Sequence, residues 1–238
     1  MTILWIFVVH WYTSLFFQTF FLHRYVSHGM FKMSKSTERI FFVLTFIFQG
    51  SSFLNPRAYG ILHRLHHAHS DTIDDPHSPA QTGNIIRMNF VTFSRYWSIL
   101  KGDANHGEYE KGIPKWERFE KFTNKFLIRV LFIGLYVGLY ATFATTAWQY
   151  LLLPIHIFMG PIHGSIVNWF GHKAGYRNYY SLKDNSKNTL PIDLLMMGEL
   201  YQNNHHKEPT SPNFGKRWFE IDIGYLLYRM LKMIKVVY

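Results

Sequence analysis

The sequence predicts an all-α integral membrane protein. It reads as a single domain, 1–238, of about three transmembrane helices, one re-entrant or interfacial helix and a helical cytoplasmic domain. Three observations carry this. Residues 1–23, 40–56 and 130–172 hold no Asp, Glu, Lys or Arg. All 25 Lys and Arg fall instead in 24–129 and 173–238. The charge-free runs are on the scale of a bilayer crossing, which takes about 20 mostly apolar residues per helix. Histidine-rich motifs, finally, sit just beyond the ends of the apolar runs.

The first run, 3–22, reads as a retained span. No basic stretch precedes it and no small-residue cleavage site follows, so it does not read as a signal peptide. The second, 40–54 (IFFVLTFIFQGSSFL), is too short to cross and ends in Gln49-Gly50-Ser51-Ser52, which fits an interfacial or re-entrant segment. As one helix, 130–172 would measure about 65 Å, roughly two crossings. TFATTAWQ at 142–149 supplies the turn, giving spans 127–146 and 149–170. If all the histidine motifs build one site they share a face, so 40–54 crosses an even number of times, most simply zero. Every Lys and Arg, all in 24–129 and 173–238, then falls on one side, which the positive-inside rule makes cytoplasmic, and the cytoplasmic parts are 23–126 and 171–238. The alternative is a fourth span with histidines on both faces.

Composition narrows the chemistry. The absence of Cys excludes disulfides, thiolate nucleophiles and Cys-ligated zinc or iron–sulfur centres. A hydrophobic content of 48% excludes disorder. With 14 His, imidazole is the candidate metal ligand.

The histidines form four groups: His23 and His28; His63, His66 and His67; His172, four residues after Asn168; and His205 with His206. On an α-helix, residues 63, 66 and 67 stand at i, i+3 and i+4 on one face, yet the neighbours His66 and His67 diverge by about 100° and can serve two metals. His23 and His28, at i and i+5, diverge by about 140°, as at a helix end reaching round a site. Each group alone is explained by ordinary surface or core histidines; their joint placement beside apolar runs points to a shared metal site. His10, His156 and His163 lie inside spans and are expected to hydrogen-bond within the bundle. His69, His77 and His106 fall in polar loops and are left out. Eight neutral imidazoles are too many for one octahedral ion and suit two; zinc would fit the donors without redox chemistry, whereas iron supplies one-electron and O₂ chemistry.

The motifs HRYVSH, HRLHHAHSDTIDDPHSP, NWFGHKAGYRNY and GELYQNNHH, in this order, resemble the integral-membrane acyl-CoA desaturases of the stearoyl-CoA (delta-9) type, with the nearest likeness to bacterial members. The likeness runs from about residue 22 to FEIDIGYLLYRML near the C-terminus. It implies that His23, His28, His63, His66, His67, His172, His205 and His206 ligate two iron ions, with Asn168 approaching one through water. It implies O₂-dependent removal of two hydrogens from a fatty acyl thioester (acyl-CoA, or else acyl carrier protein or lipid) to leave a cis double bond. The chain would lie in a bent apolar tunnel, and electrons would come from a separate donor such as ferredoxin, or cytochrome b5 with its reductase. The location implied is a bacterial inner membrane, with the site on the cytoplasmic side. Two departures stand out. Gln202 replaces a histidine that many members carry, and an amide oxygen is the weaker ligand. Many members also carry a further hydrophobic segment before the one that leads to the first motif.

Asp71, Asp75 and Glu199 are placed to accept the second ring N–H of ligating histidines; a plain Asp-Pro turn is the alternative for DTIDDPHSP. Arg57, Arg87, Arg95 and Lys101 are candidate phosphate contacts within a chain of net charge +10. That charge would equally meet anionic lipid or an acidic electron carrier; no nucleic-acid motif accompanies it. The tail 218–238 reads as a basic amphipathic helix, lying along headgroups or capping the cytoplasmic domain. Rival readings of the whole are a related di-iron hydroxylase and a non-catalytic metal-binding membrane protein.

Overall fold

The computed structural model describes residues 1–103 and 106–238. Helix α1 (Thr2–Phe17) runs on, as a π-helix (Gln18–Ser27), into one 26-residue rod. α2 (Lys35–Gln49) starts on Ser34, whose hydroxyl accepts from the Thr37 N–H at 3.1 Å, and stops at a 3₁₀ turn, Gly50–Ser52. α3 (Pro56–His69) opens with Pro in its first turn and the Asn55 side chain accepting from the Ala58 N–H. Then follow α4 (Pro79–Thr82), α5 (Ile85–Lys101), α6 (Glu117–Thr123) and α7 (Phe126–Phe143). α8 (Leu152–Ile157), α9 (Met159–Lys173), α10 (Gln202–Lys207) and α11 (Ile223–Met233) complete the chain. No strand forms among the described residues; two isolated bridges join Asn188 to Tyr176 and Tyr201.

Among the described residues two helices are long and apolar enough to cross a membrane, Thr2–Ser27 and Phe126–Phe143. A third crossing needs Ala147–Ile157 and Met159–Lys173 taken together, and these are bent by 78°. The straight span expected at 149–170 is therefore broken, and the cause is local. Pro161 has no N–H to offer the carbonyl four residues back and its ring crowds that carbonyl. The Ile157 carbonyl accepts instead from the Ser51 hydroxyl at 2.7 Å, and the Gly160 N–H donates to Ser52 Oγ at 3.0 Å. The polar end of the 40–54 segment thus props the bend. α2 itself, at 15 residues, is short of a crossing.

An aromatic core joins the first rod to α2: Phe17 stacks on Phe48 at 5.1 Å and Phe20 meets Phe41 at 5.3 Å. Within the bundle His10 Nδ1 is 2.6 Å from His156 Nε2, and His10 Nε2 is 2.6 Å from the Phe48 carbonyl. His163 departs from the expected pattern: it is fully buried, edge-on to Trp11, and neither ring nitrogen has a hydrogen-bond partner. The tail is helical only over α11. Beyond it Tyr238 exchanges two backbone hydrogen bonds with Lys32, at 2.8 and 2.9 Å, while Tyr228 packs on Phe31. α11 therefore closes against the core on one side and leaves Met230, Met233 and Ile234 exposed on the other.

Candidate metal centre

Four elements deliver the histidines: the π-helical end of the first rod, α3, the last turn of α9, and α10. The π-helix corrects the 140° divergence expected of His23 and His28. Its i→i+5 bonding, seen in the His28 N–H to His23 carbonyl bond at 3.2 Å, stacks residue 28 over residue 23 and brings their rings to 5.0 Å.

All eight imidazoles singled out in the sequence converge, in two groups. The nitrogens of His23, His28, His63, His67 and His205 lie within 4.8 Å of one another. Their Nε2 atoms crowd together, His28 and His63 at 2.7 Å, and His23 and His205, His63 and His67, and His67 and His205 each at 3.0 Å. The second group is His66, His172 and His206, equally close. The two consecutive pairs divide between the groups as their divergence requires: His67 and His205 face one, His66 and His206 the other.

Second partners set the tautomers. In the three-histidine group Nδ1 donates to a carboxylate each time: His66 to Asp75 at 3.0 Å, His172 to Asp71 at 2.9 Å and His206 to Asp184 at 2.9 Å. A neutral ring with its proton on Nδ1 has a lone pair on Nε2. All three Nε2 atoms are buried and without a hydrogen-bond partner. Three buried lone pairs converging in one spot could hold a metal ion, and are a costly arrangement without one. In the five-histidine group His23 Nδ1 lies 2.5 Å from Glu199 Oε2. Glu199 is also bonded by the Arg24 guanidinium at 2.9 Å and by the Thr19 hydroxyl. Arg24, fully buried, grips Asp222 with two bonds of 2.8 Å and lies 4.1 Å over the Phe214 ring. It thereby ties the first rod to the start of α11.

Burial, reinforced by neighbouring imidazoles, holds His28, His63, His66, His67 and His205 well below the ordinary imidazole value. They are neutral near pH 7, as ligands must be. Burial by itself would raise the Asp71 and Asp184 carboxyls. The His172 contact, with help from Asn185 and Ser78, outweighs it for Asp71, and His206 with Ser186 does so for Asp184, so both stay below the ordinary carboxylate range.

The remaining candidates fall elsewhere. Gln202 is buried and its amide donates to the Glu199 carbonyl at 2.7 Å. Asn168 is half-buried. Both line a cavity of about 880 Å³ that also touches His23 and His63. Its walls are largely apolar, with Leu15, Leu62, Met88, Tyr96, Val167 and Met196 among them. Arg57 is engaged by Glu110 at 2.8 and 3.0 Å and by the Ile99 carbonyl, so its guanidinium serves an ion pair rather than waiting for a phosphate. Arg87, Arg95 and Lys101 are exposed on α5.

Sequence reasoning missed two residues. Asp184 stands in a polar loop 22 positions before its histidine, and no spacing rule reaches that far. His77 is buried, not looped out: its ring is 4.3 Å from that of His66, it lines the cavity, and burial lowers it to about 4. Its position two residues after Asp75, whose carboxylate accepts the His77 N–H at 3.0 Å, was the available signal.

These features define a membrane-associated, histidine-lined candidate metal site beside a largely apolar cavity. The family model for fatty acid desaturases matches residues 2–222. The chain belongs to that family. It is 30% identical over 236 residues to a delta-9 desaturase-like 5 protein of Arabidopsis thaliana, covering 96% of this chain and 73% of the relative. It is 28% identical over 215 residues to an sn-1 stearoyl-lipid 9-desaturase of Synechocystis sp., covering 89% of this chain and 63% of the relative. A hex-5-enoyl-[acyl-carrier protein] acetylenase of Moorena producens is also 28% identical, over 243 residues, covering 96% and 73%. The chain thus spans just under two thirds of the length of the Synechocystis relative.

Proposed function

We propose that the protein desaturates a long-chain fatty acyl group, introducing a cis double bond at the delta-9 position with O₂ and two electrons. The observation that carries this is the set of three buried, carboxylate-oriented imidazoles facing a second set of five, beside an apolar cavity. His23, His28, His63, His67 and His205 would hold one iron ion and His66, His172 and His206 the other, with Gln202 and Asn168 lining the adjoining cavity. When bound, two irons would supply the oxygen and one-electron chemistry that imidazoles alone cannot. The chain's own residues do the rest. Asp71, Asp75, Asp184 and Glu199 keep the Nδ1 protons in place and the Nε2 lone pairs free. The apolar walls hold an acyl chain and exclude water. Electrons would arrive from a separate ferredoxin or cytochrome b5 type carrier, and the acyl group on coenzyme A, on acyl carrier protein or in lipid. The histidines would sit on the cytoplasmic side of a bacterial inner membrane, with 40–54 not crossing.

Purified protein should carry close to two irons. In a desaturase-deficient host, the chain should restore unsaturated fatty acids, and His66→Ala or His206→Ala should abolish them. Normal product from either variant would defeat the proposal, and a gain of one oxygen in place of a loss of two hydrogens would reassign the protein as a hydroxylase.

A further inference from the structure

Helix α5 has three faces. Met88, Tyr96 and Ile99 turn inward and are buried. Arg87 and Arg95 stand out on an exposed polar face, and Lys101 is exposed beside it. Between the buried and the polar faces run Ile86, Phe90, Phe93 and Trp97, spaced four, three and four, which puts them in one stripe. They are 67%, 72%, 62% and 42% exposed, yet all four line the cavity that reaches His23 and His63. Two more exposed aromatics complete this rim: Phe126, which opens α7, and Phe158, at the bend between α8 and α9. Leu127, Val130, Leu131 and Leu135 continue the exposed apolar surface along α7, a helix apolar enough to cross a membrane.

Single exposed apolar side chains are ordinary, but a contiguous ring of large ones around a cavity mouth is not. A helix with an apolar stripe beside a basic face belongs in the membrane interface, its apolar side toward the acyl chains and its cations among the headgroups. The interior of the mouth is equally informative. Among the described residues lining the cavity the one Arg or Lys is Arg129. Its guanidinium donates to the Ser51 carbonyl at 2.9 Å and the Phe53 carbonyl at 3.0 Å, so it is not held ready for a nucleotide's phosphates.

We propose that the gap between α5, the start of α7 and the α8–α9 bend is a lateral portal, through which the acyl chain of a membrane glycerophospholipid enters the cavity from the bilayer while α5 lies among the headgroups. This rests on the desaturase reading and narrows its substrate to lipid-carried acyl chains. Arg87 and Lys101 flank the stripe where headgroup phosphates would lie.

The position of α5 is tested without any turnover. The chain has no Cys, so Phe90→Cys and Arg95→Cys each create a unique site for a nitroxide label in the iron-loaded protein, reconstituted in vesicles of phosphatidylglycerol and phosphatidylcholine. The label at position 90 should collide more with O₂, which concentrates in the acyl region, than with a water-soluble nickel chelate; the label at 95 should show the reverse. A label at 90 open to the chelate overturns the portal, whatever the activity. For turnover, isotope-labelled 1-stearoyl phosphatidylglycerol in the vesicles is compared with labelled stearoyl-CoA added outside, with ferredoxin and its reductase as electron source. The lipid-borne label should become unsaturated. Phe90→Asp with Phe93→Asp should cut that conversion roughly tenfold or more, since a carboxylate is costly among acyl chains, with iron content unchanged, whereas Phe90→Leu should retain it. Conversion of the thioester alone would overturn the portal and leave desaturation standing. Conversion of neither substrate would overturn both.

Discussion

Replacing Asp184 by Asn tests whether a carboxylate invisible to motif analysis controls the second group of histidines. The two oxygens of Asp184 have separate duties. Oδ2 takes the His206 Nδ1–H at 2.9 Å, while Oδ1 takes the Ser186 N–H at 3.0 Å and the Ser186 hydroxyl at 2.5 Å. An asparagine has one acceptor oxygen. If it keeps the two serine donors, its NH₂ faces His206 Nδ1, which must then accept; the ring proton moves to Nε2 and blocks the metal-facing atom. If it turns to keep His206, the bond survives as a neutral one. Losing charge assistance costs about 1–1.5 kcal/mol, or roughly tenfold in affinity. The blocked tautomer lies at the upper end of the roughly 10–100-fold typical of such outer partners. Metal affinity should therefore fall about 10–100-fold for one ion, and the other, held by the five-histidine group, should be unmoved. Titration of metal-free protein with Co²⁺ against a chelating indicator reads both affinities. Asp74→Asn, an exposed acid between Asp71 and Asp75, is the control. Unchanged binding, or an equal loss at both ions, would refute the reasoning.

Two further outcomes follow from the buried charges and rings. Arg24→Met strips the guanidinium from Glu199 and Asp222 and leaves two buried carboxylates uncompensated, so unfolding in detergent should be easier by about 3–5 kcal/mol; a loss below about 1 kcal/mol would mean that the carboxylates are protonated or reached by water. The histidines make metal-free protein acid-sensitive. Because the folded state holds His63, His66, His67 and His205 below the ordinary imidazole value, the unfolded chain binds more protons once the pH drops under about 6.5. Their contribution is present above pH of about 6.5 and is lost as pH falls toward the folded values, by up to about 1.4 kcal/mol per unit for each ring. Unfolding midpoints from pH 8 to 5 measure it, and a flat profile would contradict the buried, neutral rings.

The sequence was most legible where one residue type in a short interval had to do one thing. His66 beside His67 predicted their own division between two groups from helix geometry alone, and the same geometry divides His205 from His206 in the structure. Asp75 was readable because it follows α3 closely enough to fold back on His66, whereas Asp71, readable only as an acid beside that motif, meets His172 from α9. What could not be read was set by partners distant in sequence. Pro161 marks a break anywhere, but the 78° bend takes its support from Ser51 and Ser52, about a hundred residues earlier. The π-helix at 18–27 has no local signature either, and its register is stated only by where His28 lands. Arg24 read as one more basic residue beside a span, whereas it is the buried tie between the first rod and Asp222.

The two consecutive pairs also explain why the groups cannot be arranged independently. The rings of His66 and His67 are 5.7 Å apart and those of His205 and His206 5.9 Å, each fixed by one peptide unit, and His67 approaches His206 across the gap at 4.5 Å. Spacing between the groups is thus set twice, by α3 and by α10, on opposite sides. A shift of α10 moves one histidine of each group together, and a shift of α3 moves His63 and His67 of one group with His66 of the other, so either changes both groups while nearly preserving their separation. The residues that can alter one group alone are those on elements serving only that group: His23 and His28 of the first rod on one side, His172 of α9 on the other. His172, though buried, is the vulnerable point of this arrangement, since it reaches the site from α9, downstream of the bend that Ser51 and Ser52 prop open. Loosening that bend should therefore register first in the three-histidine group, which has the fewest donors to lose.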